Sequence, residues 1–500
     1  MSHVIILPIL LPLFSGAALL LFNSMTSQNK RYFSALATLL LIPLSAWLIT
    51  VAARDEIVTY TLGNWPAPFG ILLVLDRLSA IMVLITSVLA SGAILYACQG
   101  DDARGPNFHA LFQFQVAGLN GAFLTGDLFN LYVFFEILLI ASYALLLHGG
   151  GKERTSAGLH YILLNLLGSS LFLVAVGVLY GLLGTLNMAH LSERIAQVGP
   201  GDAPLIAAAG LLLLLVFALK AALLPLYFWL PRAYAGATAP VAALFAVMTK
   251  VGVYSILRIY ALLFGPDAGA LSHLAQPLLW PLALLTLALG SIGALAARQL
   301  QELVAYLVLV SVGLLLAGMS LGRVESISAC LFYLIHTTWI TGGLFLLSDM
   351  VARQRGETGA RLEKGPTLRQ PMLLGSLFFI GAVSIAGLPP FSGFFGKLLI
   401  LKSAPLSEAR WLWPVLLISS LGLVIALSRA GSTVFWRGGE GIAGQERANG
   451  WRLLAVITLM SASVVLVVVA KPLTLYLDQA AQQIMSPAAY ASAVLQEGSR

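Results

Sequence analysis

Three lysines and one glutamate fall where an ion is expensive. Lys220, Lys250 and Lys397 lie inside apolar runs of a 500-residue chain, and Glu136 lies inside another. An ionised side chain at the centre of a membrane helix costs about 2.5–3.5 kcal/mol on insertion scales. Charged and unpaired, the three lysines would together cost on the order of 8–10 kcal/mol. Static pairing cannot remove that cost, because deep acids are too few: Glu136 is the one clear central carboxylate, and Asp76 is shallower. Burial favours a neutral amine and a nearby carboxylate favours a charged one, so an amine held between the two changes protonation when the carboxylate moves. That is the property a proton relay needs. In such a relay Glu136 pairs with Lys220, and breaking the pair drives a proton from Lys220 toward Lys250 and onward. The plainer role for Glu136 is that of a structural ion-pair partner.

Depth supports the relay. Glu136 is about eight residues into its apolar run, roughly 12 Å at 1.5 Å per residue, and Lys250 is about ten residues into its own, roughly 15 Å. Snorkelling to the headgroups, open to a lysine near a helix end, is not readily available there. His336 lies in the middle of FYLIHTTWITGGLFLL. Its proton affinity near neutrality suits a shuttle between Lys250 and Lys397, although a lone histidine on an apolar helix is often a hydrogen-bonded core residue. No second central histidine at i+4 accompanies it, so haem ligation has little support. Arg77 beside Asp76, and Arg258 near a helix end, have structural explanations.

Helices must hold these residues. Hydrophobic residues make up 59% of the chain and charged residues 10%, with mean hydropathy +0.92. A soluble domain carries about 25% charged residues. Apolar runs of roughly 20 residues recur from end to end, the length that crosses a hydrocarbon core of about 30 Å. An all-α polytopic membrane protein follows, because a helix satisfies its backbone hydrogen bonds within one segment. Fourteen spans are expected, roughly 4–23, 33–52, 70–98, 108–125, 128–148, 158–182, 204–229, 239–264, 274–297, 302–320, 327–348, 372–402, 411–436 and 451–470. The start of the chain has no basic region before its apolar run and no small-residue cleavage site, so Met1–Leu21 reads as the first span rather than a signal peptide.

Two of these spans are interrupted. Lys220 is followed by Pro225 in KAALLPLYFWLP, and Lys397 is preceded by Pro389 and Pro390 in GLPPFSGFFGK. Proline breaks the helix ladder. Broken helices placed similarly in two halves of a chain point to transport sites built from inverted repeats. The expected organisation is helices 1–3 over 1–100, a five-helix repeat over 108–264, a second over 274–436, and a last helix with a tail over 437–500. The plainer reading is two ordinary proline kinks.

Loop charges set the expected orientation. With an outer N-terminus, sixteen lysines and arginines fall in cytoplasmic loops and seven outside, the latter including Arg54, Arg323 and Arg500. Both termini are therefore expected on the outer face. The net charge of +7 reflects these loops and does not imply nucleic acid. The Arg/Gly-rich loop near 350–371 reads as a contact surface or, more plainly, as a solvated positive loop. Cys98 and Cys330 form no CxxC pair, so neither a disulfide framework nor an iron–sulfur site is expected. No phosphate loop, dinucleotide fingerprint or HExxH is present, so ATP-driven transport by this chain alone is not expected. Nothing in the sequence calls for a cofactor or a metal.

The segments DLFNLYVFFEILLIASYALLLHG, KAALLPLYFWLPRAYAGATAPVAALFAVMTKVGVYSILR and SIAGLPPFSGFFGKLLI together resemble the antiporter-like membrane subunits. That superfamily includes the Mrp-type (Pha, Mnh) cation/proton antiporter subunits and the large proton-pumping subunits of respiratory complex I. The resemblance is nearest to the Mrp D branch and strongest from about 70 to 436. It implies fourteen helices in two inverted repeats. It also matches Glu136 to the glutamate of the fifth helix, Lys220 to the lysine of the broken seventh, Lys250 to that of the eighth and Lys397 to that of the broken twelfth. Tyr227 stands in PLYFWLP where complex I subunits usually have histidine, which favours the Mrp branch. Ile340 stands where the family often has a lysine four residues after the histidine, so the central route would rest on His336 and water.

The resemblance implies a non-enzymatic secondary transporter subunit in a bacterial inner (plasma) membrane. It would move protons in exchange for Na+ or K+, with other subunits of a hetero-oligomeric antiporter complex and the lipid bilayer as partners and no nucleic acid. The alternatives are a proton-pumping subunit of a complex I-like oxidoreductase or membrane hydrogenase, and a self-contained carrier for a solute.

Overall fold

The computed structural model describes residues 2–22, 24–54, 57–439, 442–444 and 446–497; the expected outer-face Arg500 lies outside them. The chain opens with α1 (Leu7–Leu21) and α2 (Ser27–Ala52), then a hairpin of β1 (Val58–Thr61) and β2 (Leu72–Leu75). Next come α3 (Arg77–Ala97), α4 (Phe108–Leu124), α5 (Leu128–Leu147), α6 (Lys152–Leu183), the short α7 (Met188–Ala196), α8 (Ala203–Ala221), α9 (Trp229–Gly236) and α10 (Ala239–Leu262). The second half holds α11 (Gln276–Ala296), α12 (Leu300–Met319), α13 (Val324–Gln354), α14 (Pro371–Ala386), α15 (Ser392–Ser403), α16 (Leu406–Gly431), α17 (Gly450–Val468), α18 (Ala470–Ile484) and α19 (Pro487–Glu497).

Among the described residues twelve helices are long and apolar enough to cross a membrane. Two expected spans differ. The run 108–125 is a 17-residue helix, α4, with Gln113, Gln115 and Asn120 buried in it. The run 372–402 is a pair, α14 and α15. Fourteen crossings require α4 and that pair to cross as well. The run 70–98 begins with a strand: Leu72–Leu75 pairs antiparallel with Val58–Thr61. The helix starts only after Asp76, whose side chain accepts from Ser79 N while Ser79 Oγ accepts from Asp76 N. This reciprocal cap fixes the start of α3 where apolar character alone runs on. Beyond the expected last helix, α18 packs on α3 and α13, and α19 on α7 and β1, so the tail covers the hairpin face.

The opposite face carries the loops expected to be cytoplasmic and is tied by ion pairs. Arg353 bonds Asp349 (2.6 Å) and Asp101 (2.8 Å), and Tyr96 Oη donates to Asp349 (2.7 Å). Asp102 takes Arg31 (2.6 Å) and His109 (3.1 Å). Burial works against the Asp102 charge, but the bonds from His109 and Arg31 outweigh it and hold the carboxyl down at about 2. His148 is buried here too, with its Nε2 3.0 Å from Asp101 O. The 350–371 loop is tied to the rest of the chain by its own bonds. The buried Arg355 donates to the carbonyls of Gly359 and Arg361, and the loop bridges Gln299 and Gly438.

Asp76 does not pair with its neighbour Arg77. It receives both guanidinium nitrogens of Arg258 on α10, at 2.5 and 2.8 Å. Arg77 instead donates to Ala53 O and lies over the Tyr476 ring.

Candidate functional site

Each of the two breaks lies beside a buried lysine, Lys220 at the first and Lys397 at the second. At the first, α8 ends one residue after Lys220, and Ala222 adopts a left-handed conformation (φ 60°). A break leaves backbone groups that must find partners where no water competes. Leu224 N donates to Thr286 Oγ1 of α11 (2.9 Å), and Trp229 Nε1 donates to Leu219 O (3.2 Å). At the second break Gly387 is left-handed (φ 83°) and Leu388 N donates to Val383 O (3.1 Å).

Both breaks place a lysine Nζ at the carboxyl end of a half-helix, where the helix dipole favours a cation. Lys220 belongs to the last turn of α8 itself. Lys397, on the half-helix after its break, reaches back to Ala386 O at the end of α14 (2.7 Å) and to Ser420 Oγ of α16 (3.1 Å).

Lys220 Nζ donates to Asn165 Oδ1 of α6 (3.1 Å) and lies 5.9 Å from the centre of the Phe135 ring. Glu136 follows Phe135 on α5. Its charge reaches Lys220 through space, but the two form no ion pair within 4 Å, and Glu136 Oε1 is buried without a hydrogen-bond partner. The expected contact pair is therefore an electrostatic pair, with an amide occupying the lysine.

Lys250 is fully buried on α10 and donates to Ser311 Oγ of α12 (2.8 Å). It stands close to the first break, because α10 and α8 touch at Gly252. A Cβ there would lie 2.4 Å from Ala221 N, so only glycine admits the contact. His336 is fully buried on α13, with Nδ1 2.8 Å from Ser392 Oγ at the start of α15. Its Nε2 and the neighbouring Thr337 Oγ1 have no partner. Gly393 makes room for this approach: a Cβ would lie 1.9 Å from Ser384 O and 2.8 Å from His336 Nε2. The field of Lys397 reaches His336.

The five residues thus form two groups and one further amine. Glu136 and Lys220 share the first, His336 and Lys397 the second, and Lys250 stands next to the first with Ser311. Lys250 and His336 share no hydrogen-bond partner. Buried polar atoms without partners, at Glu136, His336 and Thr337, are where a proton or a water is exchanged most readily. The arrangement sets buried lysines and a histidine against an amide, hydroxyls and a backbone carbonyl.

Asn165, Ser311, Ser392 and Ser420 were not singled out from the sequence. Asn165 had a usable signal, being the lone amide in the apolar run YILLNLLG. The serines had none, since serine is common in membrane helices and bonds its own helix.

The family profile described as "NADH:quinone oxidoreductase/Mrp antiporter, TM" matches residues 125–425. A probable K(+)/H(+) antiporter D-type subunit of Rhizobium meliloti is 42% identical, over 99% of this chain and 98% of its own. The Na(+)/H(+) antiporter D-type subunit of Bacillus subtilis is 38% identical, over 99% of this chain and 100% of its own. A chain of the Mrp complex from a Dietzia species superposes with a TM-score of 0.88 at 25% identity, covering 99% of this chain and 100% of that one. A chain of respiratory complex I from Thermus thermophilus gives 0.82 at 26% identity, covering 97% and 99%.

Proposed function

This chain belongs to the NADH:quinone oxidoreductase/Mrp antiporter transmembrane family, and from that premise we propose that it is the proton-translocating D-type subunit of a multisubunit Na+(K+)/H+ antiporter. The observation that carries the reading is the likeness over 99% of the chain to proteins named as D-type subunits of such antiporters. The chain works in a bacterial plasma membrane as one subunit of a hetero-oligomer, with both termini on the outer face.

In the mechanism Glu136 supplies the field that keeps Lys220 an ammonium. Loss of that field, by protonation or withdrawal of the carboxylate, leaves a charge in an apolar setting at high cost. Lys220 then gives its proton toward the neutral amine of Lys250, becoming an amine as Lys250 becomes an ammonium. His336, with one free ring nitrogen, connects onward to Lys397. The two halves, 108–264 and 274–436, act as inverted repeats with one break each.

The test is exchange driven by a pH gradient in everted membrane vesicles carrying the whole complex. Lys220→Ala and Glu136→Ala should each abolish exchange while the complex still assembles, as judged by copurification of its subunits. Normal exchange with intact assembly in either variant would end the assigned role. Fold likeness to a complex I chain keeps a second reading, a proton-pumping subunit of a redox complex. Identifying the copurifying subunits separates the two, since the redox reading requires quinone and iron–sulfur partners.

A further inference from the structure

Lys220 is held by a neutral amide while the carboxylate whose field it feels has an unpartnered oxygen. The amide is not loose. Asn165 is 1% exposed, and its Nδ2 donates to Tyr161 O one turn back on α6 (2.8 Å), which turns Oδ1 toward Lys220. Tyr161 Oη is in turn 2.8 Å from Ser142 Oγ on α5, the helix that carries Glu136. The amide that holds the lysine is therefore braced to the helix that presents the acid.

We propose that Asn165 is a positioning residue for proton transfer: its amide oxygen is a second seat for the Lys220 ammonium, alternating with the Glu136 carboxylate. The proposal rests on the relay assigned above. With Lys220 on Glu136, the charge is compensated and the proton is held. With Lys220 on Asn165, the ammonium keeps a hydrogen bond but loses contact with its counter-charge. An amide oxygen accepts a hydrogen bond without taking the proton. The proton therefore stays on Nζ until the neutral amine of Lys250 receives it. Asn165 makes the open state accessible without quenching it, which a second carboxylate would do and an apolar side chain could not.

The charged and titratable groups around Lys220 are few. α5 presents Glu136, whose charge is the one acting on Lys220. α6 presents Tyr161, bonded to Ser142. α5 also carries Tyr132 and Tyr143, which feel the Glu136 charge, and Lys250 on the adjoining α10 is turned to Ser311. A change at position 165 is therefore read by one pair.

The experiment compares Asn165→Leu and Asn165→Asp in the whole complex, with exchange measured against pH in everted vesicles and assembly measured by copurification. In Asn165→Leu the lysine has Glu136 as its one strong acceptor. Exchange should fall severalfold, and the pH of half-maximal exchange should move alkaline. In Asn165→Asp, which keeps the size of the side chain, a second carboxylate should move it further, by roughly 1–3 units. A purely packing role would lower rate or assembly in Asn165→Leu and leave the pH profile where it was. An unmoved profile in both variants overturns the proposal, as does failure of both to assemble. If Lys220→Ala exchanges normally, the relay itself is wrong. If Lys220→Ala is dead and the Asn165 profiles are unmoved, the second seat alone is wrong.

Discussion

The two helix breaks share a geometry and differ in chemistry. Each ends a half-helix with a left-handed residue and sets a lysine ammonium against the carboxyl end of that half-helix. At the first, the lysine stands between an amide and the field of Glu136. At the second, Lys397 meets a backbone carbonyl and a hydroxyl, both neutral and both permanent. Two other helices differ in the same sense. Both α5 and α12 begin at an isolated antiparallel bridge, Asp127 with Asn187 and Gln299 with Arg361. α5 carries a side-chain cap from Asp127 and then Glu136, whereas α12 has no side-chain cap and offers Lys250 the hydroxyl of Ser311. Similar breaks therefore give each lysine the end of a half-helix, and the partners that meet it differ: an amide and the field of a carboxylate at the first, a carbonyl and a hydroxyl at the second.

The strongest way to break this contrast is to substitute arginine at each lysine. A guanidinium keeps its charge and does not give up its proton in a protein. If both lysines pass protons, Lys220→Arg and Lys397→Arg should each cut exchange by about a hundredfold or more, the lower bound for loss of an acid–base group. Full exchange in Lys397→Arg would reduce that lysine to a cap on Ala386. A smaller effect should come from making the second break resemble the first. Ser420→Asp puts a carboxylate beside Lys397 and should hold its proton, slowing exchange roughly tenfold and moving the pH optimum alkaline. Unchanged kinetics would mean that the missing acid is not what separates the two sites.

The smallest effect concerns the start of α5. Burial pushes the Asp127 carboxyl up to about 6, against the pull of the Asn130 and Phe129 backbone amides. Its value in the folded chain lies above that of an unfolded aspartate, so the protonated form favours folding. That contribution is complete below about pH 4 and is lost as the pH rises through about 6. Asparagine caps a helix as well as aspartate does and carries no charge. Asp127→Asn should therefore raise the melting temperature of the complex by a few degrees at pH 8, with the gain shrinking to nothing by pH 4. A gain independent of pH would assign the stabilisation to something other than the buried charge.

Much of the fold was legible because bilayer length and hydropathy are strong local signals. The short loops expected near 126 and 300 are there, as Thr125–Asp127 and Ala297–Gln299. The lysines and Glu136 were legible for the same reason, as costs that an apolar sequence does not otherwise carry. What escaped was set by contact between distant segments. The apolar run Leu72–Leu75 is strand rather than helix because it pairs with Val58–Thr61. Arg258 finds Asp76 across 182 residues. Asn165 comes to Lys220 because α6 packs on α8. A hydroxyl such as Ser311 gives no sign in the sequence of which helix it will serve.

α13 is 31 residues long, about 46 Å, against a hydrocarbon thickness of about 30 Å. His336 lies near its middle and Arg353 at one tip, tied there to Asp101 and Glu446 from other segments. A push at that tip would be carried along the helix axis toward the imidazole.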